Sequence, residues 1–316
     1  MSITSELTNP ESAASLWLAE NFDLDPAISA LTAQAEGVAT IRPSGTLKDY
    51  PWATVGHAVE FRLRQSCGVA YYKTTAPLGN EHLFQGYMLN DALAVLWDEH
   101  ETEQWTSKEN AWVLCFAGLS EGRFRSRRKE GFKCYEDALV ELGRLHDWKM
   151  FGVEMDLLRQ GKVESVSAKE HACLGLLMEL MPVADAVLSD VAAVSDAAIA
   201  SDGFQKMKLS GSFIDNPVFS GGKWVGGADG DFIFGRTLYD VKTTIRPENL
   251  WPSAVRQVIS YMALDAIDEY RIEELAVFLP RQHGLVAKVS LGEILEHSTF
   301  SSRVKMQESL RRALGR

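Results

Sequence analysis

Gly226-Gly227-Ala228-Asp229-Gly230-Asp231-Phe232-Ile233-Phe234 runs through Gly235-Arg236 into Thr237-Leu238-Tyr239-Asp240-Val241-Lys242-Thr243-Thr244. After a proline-containing loop comes Arg256-Gln257-Val258-Ile259-Ser260-Tyr261. This stretch decides the fold. The runs 231–234 and 237–242 are rich in aromatic and β-branched residues and flank Gly235-Arg236, the pattern of a tight strand connection. Upstream, 217–220 and 223–227 also read as strands, with Gly221-Gly222 as a hairpin turn. Downstream, a helical pattern covers about 249–266. Runs at 276–279 and 285–289 follow as strands, and 291–297 and 301–314 as helices. The C-terminal part is therefore expected to be a compact α/β unit.

The same stretch carries chemistry. Asp229 follows a Gly-Gly-Ala turn, and Asp240 ends the next strand. Side chains alternate along a strand, so Lys242 shares a face with Asp240. Carboxylates brought close together repel unless a cation neutralises them. Mg²⁺ and Mn²⁺ take such hard oxygen ligands. A metal-bound water is a stronger nucleophile, and the charge of the ion stabilises a phosphate oxygen in the transition state. A neighbouring lysine can position that water or neutralise the same charge. Asp231, two residues beyond Asp229, is a candidate supporting or second-metal carboxylate. The bland alternative is a hairpin with solvated charges.

Gly226-Gly227-Ala228-Asp229, Asp240-Val241-Lys242 and Gln257-Val258-Ile259-Ser260-Tyr261 together resemble the PD-(D/E)xK nuclease superfamily, in particular its RecB/Cas4-like branch. The resemblance implies a restriction-endonuclease-like fold, a mixed β-sheet core flanked by helices. It implies that Asp229 and Asp240 ligate the metal, that Val241 offers its backbone carbonyl, and that Lys242 assists the attacking water. Gln257 and Tyr261, one helical turn apart, would line the site and hold nucleic acid. Upstream, Val55-Gly56-His57-Ala58-Val59-Glu60-Phe61-Arg62-Leu63-Arg64 resembles the branch's first motif, with Glu60 as third acidic ligand. Arg64 would then contact substrate or hold Glu60. The other reading of the pair is an ordinary i,i+4 ion pair. Glu170, on a later helical stretch, is a lesser rival for the first-motif acid. The implied function is a Mg²⁺- or Mn²⁺-dependent deoxyribonuclease, of exonuclease or end-processing type. Cas4-like relatives carry cysteines after the Gln-Tyr helix; here no cysteine follows Cys173, so no iron–sulfur cluster is expected.

Working outward, the first motif and the later ones enclose a long helical stretch. Three segments are expected: an N-terminal helical piece at 1–50, a nuclease core from 51–68 and 205–316, and a large helical insertion at 69–204. Helices are expected at 8–22 (Asn9 as cap, Pro10 in the first turn), 25–35 and 52–66. Further helical patterns cover 87–99, 107–118, 132–160 and 167–198, the last kinked or split at Pro182. The apolar 167–198 stretch suits a buried bundle helix or an interface between copies. Between two of these helices lie Arg123, Phe124, Arg125, Arg127, Arg128 and Lys129. That basic run is either a phosphate-contacting element, with Arg125, Arg127 and Arg128 on the backbone, or a solvated turn. His146 and His171 read as packed or surface histidines.

Composition limits the alternatives. The chain has 316 residues and a net charge of −11, which argues against a protein that coats nucleic acid by bulk charge. It leaves room for an acidic metal site beside a local basic groove. No apolar run is long enough to span a bilayer, and the first residues lack a signal-peptide pattern, so the cytoplasm is the expected compartment and no membrane partner is expected. DNA is the expected substrate. Self-association and recombination, repair or defence proteins are the candidate partnerships. Two other readings stay open: a nuclease-like module that binds DNA without cutting it, and an interaction protein built on the helical region.

Overall fold

The computed structural model describes residues 3–45, 47–48, 50–69, 111, 114–115 and 183–315. The chain divides into two compact units, one of Met1–Arg42 with Asp196–Arg316, the other of Pro43–Ser195. The protein is mixed α/β. Elements are numbered below along the described residues.

The first unit is built on a five-stranded mixed sheet in the order β1-β2-β3-β4-β5. The strands are β1 (Phe213–Asp215), β2 (Phe232–Phe234), β3 (Thr237–Val241), β4 (Glu274–Leu279) and β5 (Leu285–Ser290). β1, β2 and β3 are antiparallel in sequence, β3 and β4 are parallel, and β4 and β5 are antiparallel. A parallel pair needs a crossover, and a helix from Trp251 to Leu264 supplies it. Every residue of β3 is buried, so both faces of this central strand are covered. Leu238 on β3 and Leu275 and Val277 on β4 join the core beneath the crossover helix, with Trp251, Val255, Val258 and Met262. The alternate residues face the other way, where Phe204 meets Phe278 at 5.8 Å between ring centroids.

Helices α1 (Ile3–Thr8), α2 (Ala13–Asn21) and α3 (Asp25–Ala35) belong to this unit. α1 is tied to the motif loop, where the Ile3 amide donates to the Gly227 carbonyl at 3.0 Å. The indole of Trp17 donates to Ser309 Oγ at 3.1 Å. The single helix expected at 8–22 is in fact two. Helix α1 stops before Pro10, as the clash of a proline ring with the preceding backbone requires. Ser12, not Asn9, caps α2, accepting from the Ser15 amide.

The expected strands at 217–220 and 223–227 are not formed. Residues Ser220–Trp224 make a 3₁₀ turn, and only an isolated bridge pairs Val218 with Asp229. Gly226 and Gly227 take positive φ (77° and 129°), which curls the chain back so that the Gly227 amide reaches the Gly222 carbonyl. β1 and a short helix, α6 (Asp202–Leu209, capped by Ser201), are additions to the expected pattern. The turn at Gly235-Arg236 forms as expected, with Gly235 at φ 59°. The crossover helix and β4 and β5 fall where the sequence placed them, within a few residues. Helices α8 (Leu291–Glu296) and α9 (Arg303–Ala313) close the chain. The crossover helix is α7.

In the second unit, α4 runs Trp52–Ser66, as the spacing of its apolar residues predicts. It buries Val55, Val59 and Leu63 and ends at Gly68, whose φ is 75°. Ala111, Leu114 and Cys115 are buried helical residues, within the pattern expected at 107–118. Helix α5 spans Asp185–Ala200, beyond Pro182; it overlaps the expected 167–198 pattern and ends two residues past it, its residues from Asp196 on belonging to the first unit. The helical patterns at 87–99 and 132–160 lie outside the described residues. Among the described residues no helix is long and apolar enough to cross a membrane.

Candidate acidic site at the end of the central strand

Asp240 is the penultimate residue of β3, in register with Val277 of parallel β4. By alternation its side chain shares the α7 side of the sheet with Leu238. It is 2% exposed. Such a buried carboxylate requires strong polar partners. Lys242 Nζ provides one, at 2.7 Å from Asp240 Oδ1. The period-two expectation for Asp240 and Lys242 is thus met, although Lys242 lies one residue past the strand.

Lys242 also donates to Gln257 Oε1 at 3.4 Å, and Gln257 Nε2 donates to the Tyr261 hydroxyl at 2.7 Å. Gln257 and Tyr261 are four residues apart on α7, so they stand one above the other on a helix face. The chain of contacts is Asp240, Lys242, Gln257, Tyr261. Four sequence-predicted residues, from β3, the residue just past it and α7, meet in one network. Tyr261 is buried, with its ring stacked on Phe219 at 5.1 Å and 17°. Burial pushes its phenol well above the ordinary tyrosine range. The bond from Gln257 opposes this, and the negative fields of Asp240, Asp231 and Asp229 reinforce it. The three aspartates therefore all act electrostatically on one hydroxyl.

Asp229 sits in the bridge with Val218, ahead of β2. Its loop is held by the Phe219 amide on the Ala228 carbonyl and the Gly230 amide on the Pro217 carbonyl. Asp231 accepts from the Val241 amide at 2.7 Å through Oδ2. Val241 itself ends β3, and the next amide, that of Lys242, donates to Phe278 of β4 at 2.9 Å. Hard oxygen donors thus come from two neighbouring chain segments. Two carboxylates and a backbone carbonyl suit Mg²⁺, which keeps several waters and is commonly held by one or two carboxylates. Among the described residues no three His, Cys, Asp or Glu side chains are grouped so as to hold a metal ion.

Glu60 belongs to the second unit. It is 9% exposed and bonds Arg64 at 2.7 Å, the i,i+4 pair that helix spacing offers. His57 Nδ1 is 3.9 Å from the other carboxylate oxygen. Arg64 is buried, with its guanidinium over the Phe61 ring at 5.7 Å. Arg125, Arg127 and Arg128 lie outside the described residues, as do Phe124, His146, Glu170 and His171.

Two contributors carried no sequence signal. Phe219 stacks on Tyr261 from a loop read as a strand. Gln282 is 2% exposed and donates to the Thr244 carbonyl at 3.1 Å, bracing the loop that follows Lys242. A lone Gln after a strand has no diagnostic spacing, so only the tertiary contact reveals it. No protein-family model, curated protein or solved structure matches this chain.

Proposed function

We propose that the protein is a metal-dependent nuclease that hydrolyses DNA phosphodiester bonds at the Asp240–Lys242 end of β3. The observation that carries this reading is the four-member network itself. An acid and a lysine two residues apart, at the end of a buried central strand, are joined to a Gln and a Tyr on the crossover helix. The mixed sheet and its helical crossover support a restriction-endonuclease-like core.

Asp229 and Asp240, with the Val241 carbonyl, are the residues that would hold Mg²⁺ or Mn²⁺. When bound, the ion supplies positive charge to a phosphate oxygen and lowers the pKa of coordinated water. The chain's own residues do the rest. Asp240 and Gln257 hold the Lys242 ammonium from two sides. It would donate to the attacking water or to a non-bridging phosphate oxygen. Gln257 is oriented in turn by Tyr261, whose phenol is protonated at neutral pH and is kept so further into alkali by its burial. Attack by water oxygen on phosphorus breaks the P–O ester bond and leaves a terminal phosphate and a hydroxyl.

The test is a cleavage assay on linear, circular and single-stranded DNA with Mg²⁺ or Mn²⁺. Asp240→Asn and Lys242→Ala are each expected to lower the rate by about 100-fold or more, the scale of losing a preorganised electrostatic group. Undiminished cleavage in either variant rejects the site. A second reading, a module that holds DNA without cutting it, is favoured by one observation: no three-carboxylate group is formed among the described residues. Tight DNA binding with no cleavage in any divalent metal selects it.

A further inference from the structure

We propose that Asp231 is a positioning residue: its carboxylate holds the peptide before Val241 while the Lys242 amide on Phe278 holds the peptide after it, and the two together fix the Val241 carbonyl toward the metal position. This rests on the metal-dependent reading above.

The argument starts from strand register. β2 pairs with β3 through Phe232 with Tyr239 and Phe234 with Thr237. Continued by two residues, the ladder would set Gly230 opposite Val241. β2 stops at Phe232, however, and the preceding chain leaves β3 while staying beside the continuation of β1. The Gly230 amide bonds Pro217, and the Asn216 amide bonds Asp231's carbonyl. Asp229 stays bridged to Val218, in the register of β1 with β2. The departure from β3 removes the backbone partner that β2 would have offered Val241. Asp231 Oδ2 takes that place, at 2.7 Å.

The geometry of Val241 follows. A buried amide left without an acceptor is costly, so the carboxylate holds it firmly. On the far side, Lys242 N–H points to Phe278 of β4. In a trans peptide the C=O points opposite to the following N–H. The Val241 carbonyl is therefore turned away from β4, toward the side of β3 on which β2 lies. One carboxylate thus closes the end of the ladder while the neighbouring peptide presents its oxygen. Asp231 acts through Val241 and is no ligand itself.

The full chain, loaded with Mn²⁺ alone, tests this by calorimetry and by the Mn²⁺ spin-resonance signal. Asp231→Asn keeps an acceptor oxygen for the Val241 amide and loses the charge. Asp231→Ala loses both. Expected are near wild-type Mn²⁺ affinity in Asp231→Asn and about 10–100-fold weaker binding in Asp231→Ala, the scale found for residues that orient ligands. Equal weakening in both variants overturns the proposal, because it makes the charge itself the ligand. Undiminished binding in Asp231→Ala overturns it too. If Asp231→Ala fails to fold by circular dichroism, Asp231→Asn decides alone: retained affinity supports positioning, lost affinity rejects it. Asp240→Asn reports separately on the underlying reading. Wild-type protein that takes no Mn²⁺, or Asp240→Asn that binds it fully, rejects that reading and this proposal with it. An Asp231 failure beside a normal Asp240 dependence rejects only the proposal.

Discussion

Lys242 is held between a carboxylate and an amide oxygen, and each partner does different work. Asp240 supplies charge to a side chain that is 24% exposed, while Gln257 supplies direction. Tyr261→Phe removes the acceptor for Gln257 and keeps the stack on Phe219. The expected result is a small stability loss, about 1 kcal/mol, with a larger fall in kcat than in substrate affinity. Steady-state kinetics beside a thermal melt check it; a pure stability effect would move the melt alone. At Glu60 the local chemistry is an ion pair with a guanidinium that is almost fully buried. Glu60→Ala is expected to cost roughly 1–3 kcal/mol, measured by urea denaturation. Lost DNA cleavage with an unchanged denaturation midpoint would instead assign Glu60 to the chemistry.

At the scale of elements, two glycines set how closely the β4–β5 connection approaches the start of α6. A Cβ on Gly203 would stand 2.2 Å from the Gly284 carbonyl oxygen. Gly284 has φ 68°, and its own Cβ would fall 2.0 Å from Ser201 Oγ. Ser201 caps α6 and cannot move freely. Gly203→Ala and Gly284→Ala are each expected to destabilise by about 1–3 kcal/mol, the range for overpacking, as read by thermal denaturation. The motif loop shows why its strands were misread. Its aromatic and valine residues suit strands, but the paired glycines let backbone groups close a 3₁₀ turn and a single bridge. Local composition named residues with β propensity; the tight Gly222–Ala228 approach left no room for a ladder.

For the whole molecule, alkaline pH is the revealing variable. Cys115 is buried, and burial chiefly, with the field of Asp190 added, pushes its thiol from 9.0 up to about 12. A folded-state pKa above the unfolded one means that the folded chain binds more protons between the two values. The resulting stability is fully present below pH 9 and lost as pH rises through about 12. Tyr261 acts in the same sense from pH 10 upward. Denaturation midpoints are therefore expected to fall steadily above pH 9, and Cys115→Ala to flatten the first part of that slope. A midpoint that is level from pH 8.5 to 11 in the wild type would reject this account.

Much was legible before any fold was seen. The aromatic and β-branched runs Phe232–Phe234 and Thr237–Val241 on either side of Gly235-Arg236 determined β2, β3 and their turn, because strand propensity and turn chemistry are local properties. The i,i+4 spacing of Gln257 and Tyr261 and the i,i+2 spacing of Asp240 and Lys242 likewise determined which pairs share a face. The tertiary structure alone decided the rest. It brought α7 onto β3, so that Gln257 reaches Lys242. It stacked Phe219 under Tyr261 and set Gln282 against Thr244. It also gave the Val241 amide to Asp231, because that bond exists only where β2 ends early. These contacts join residues by packing and by the path of the backbone, and neither is written in the spacing of side chains along the chain.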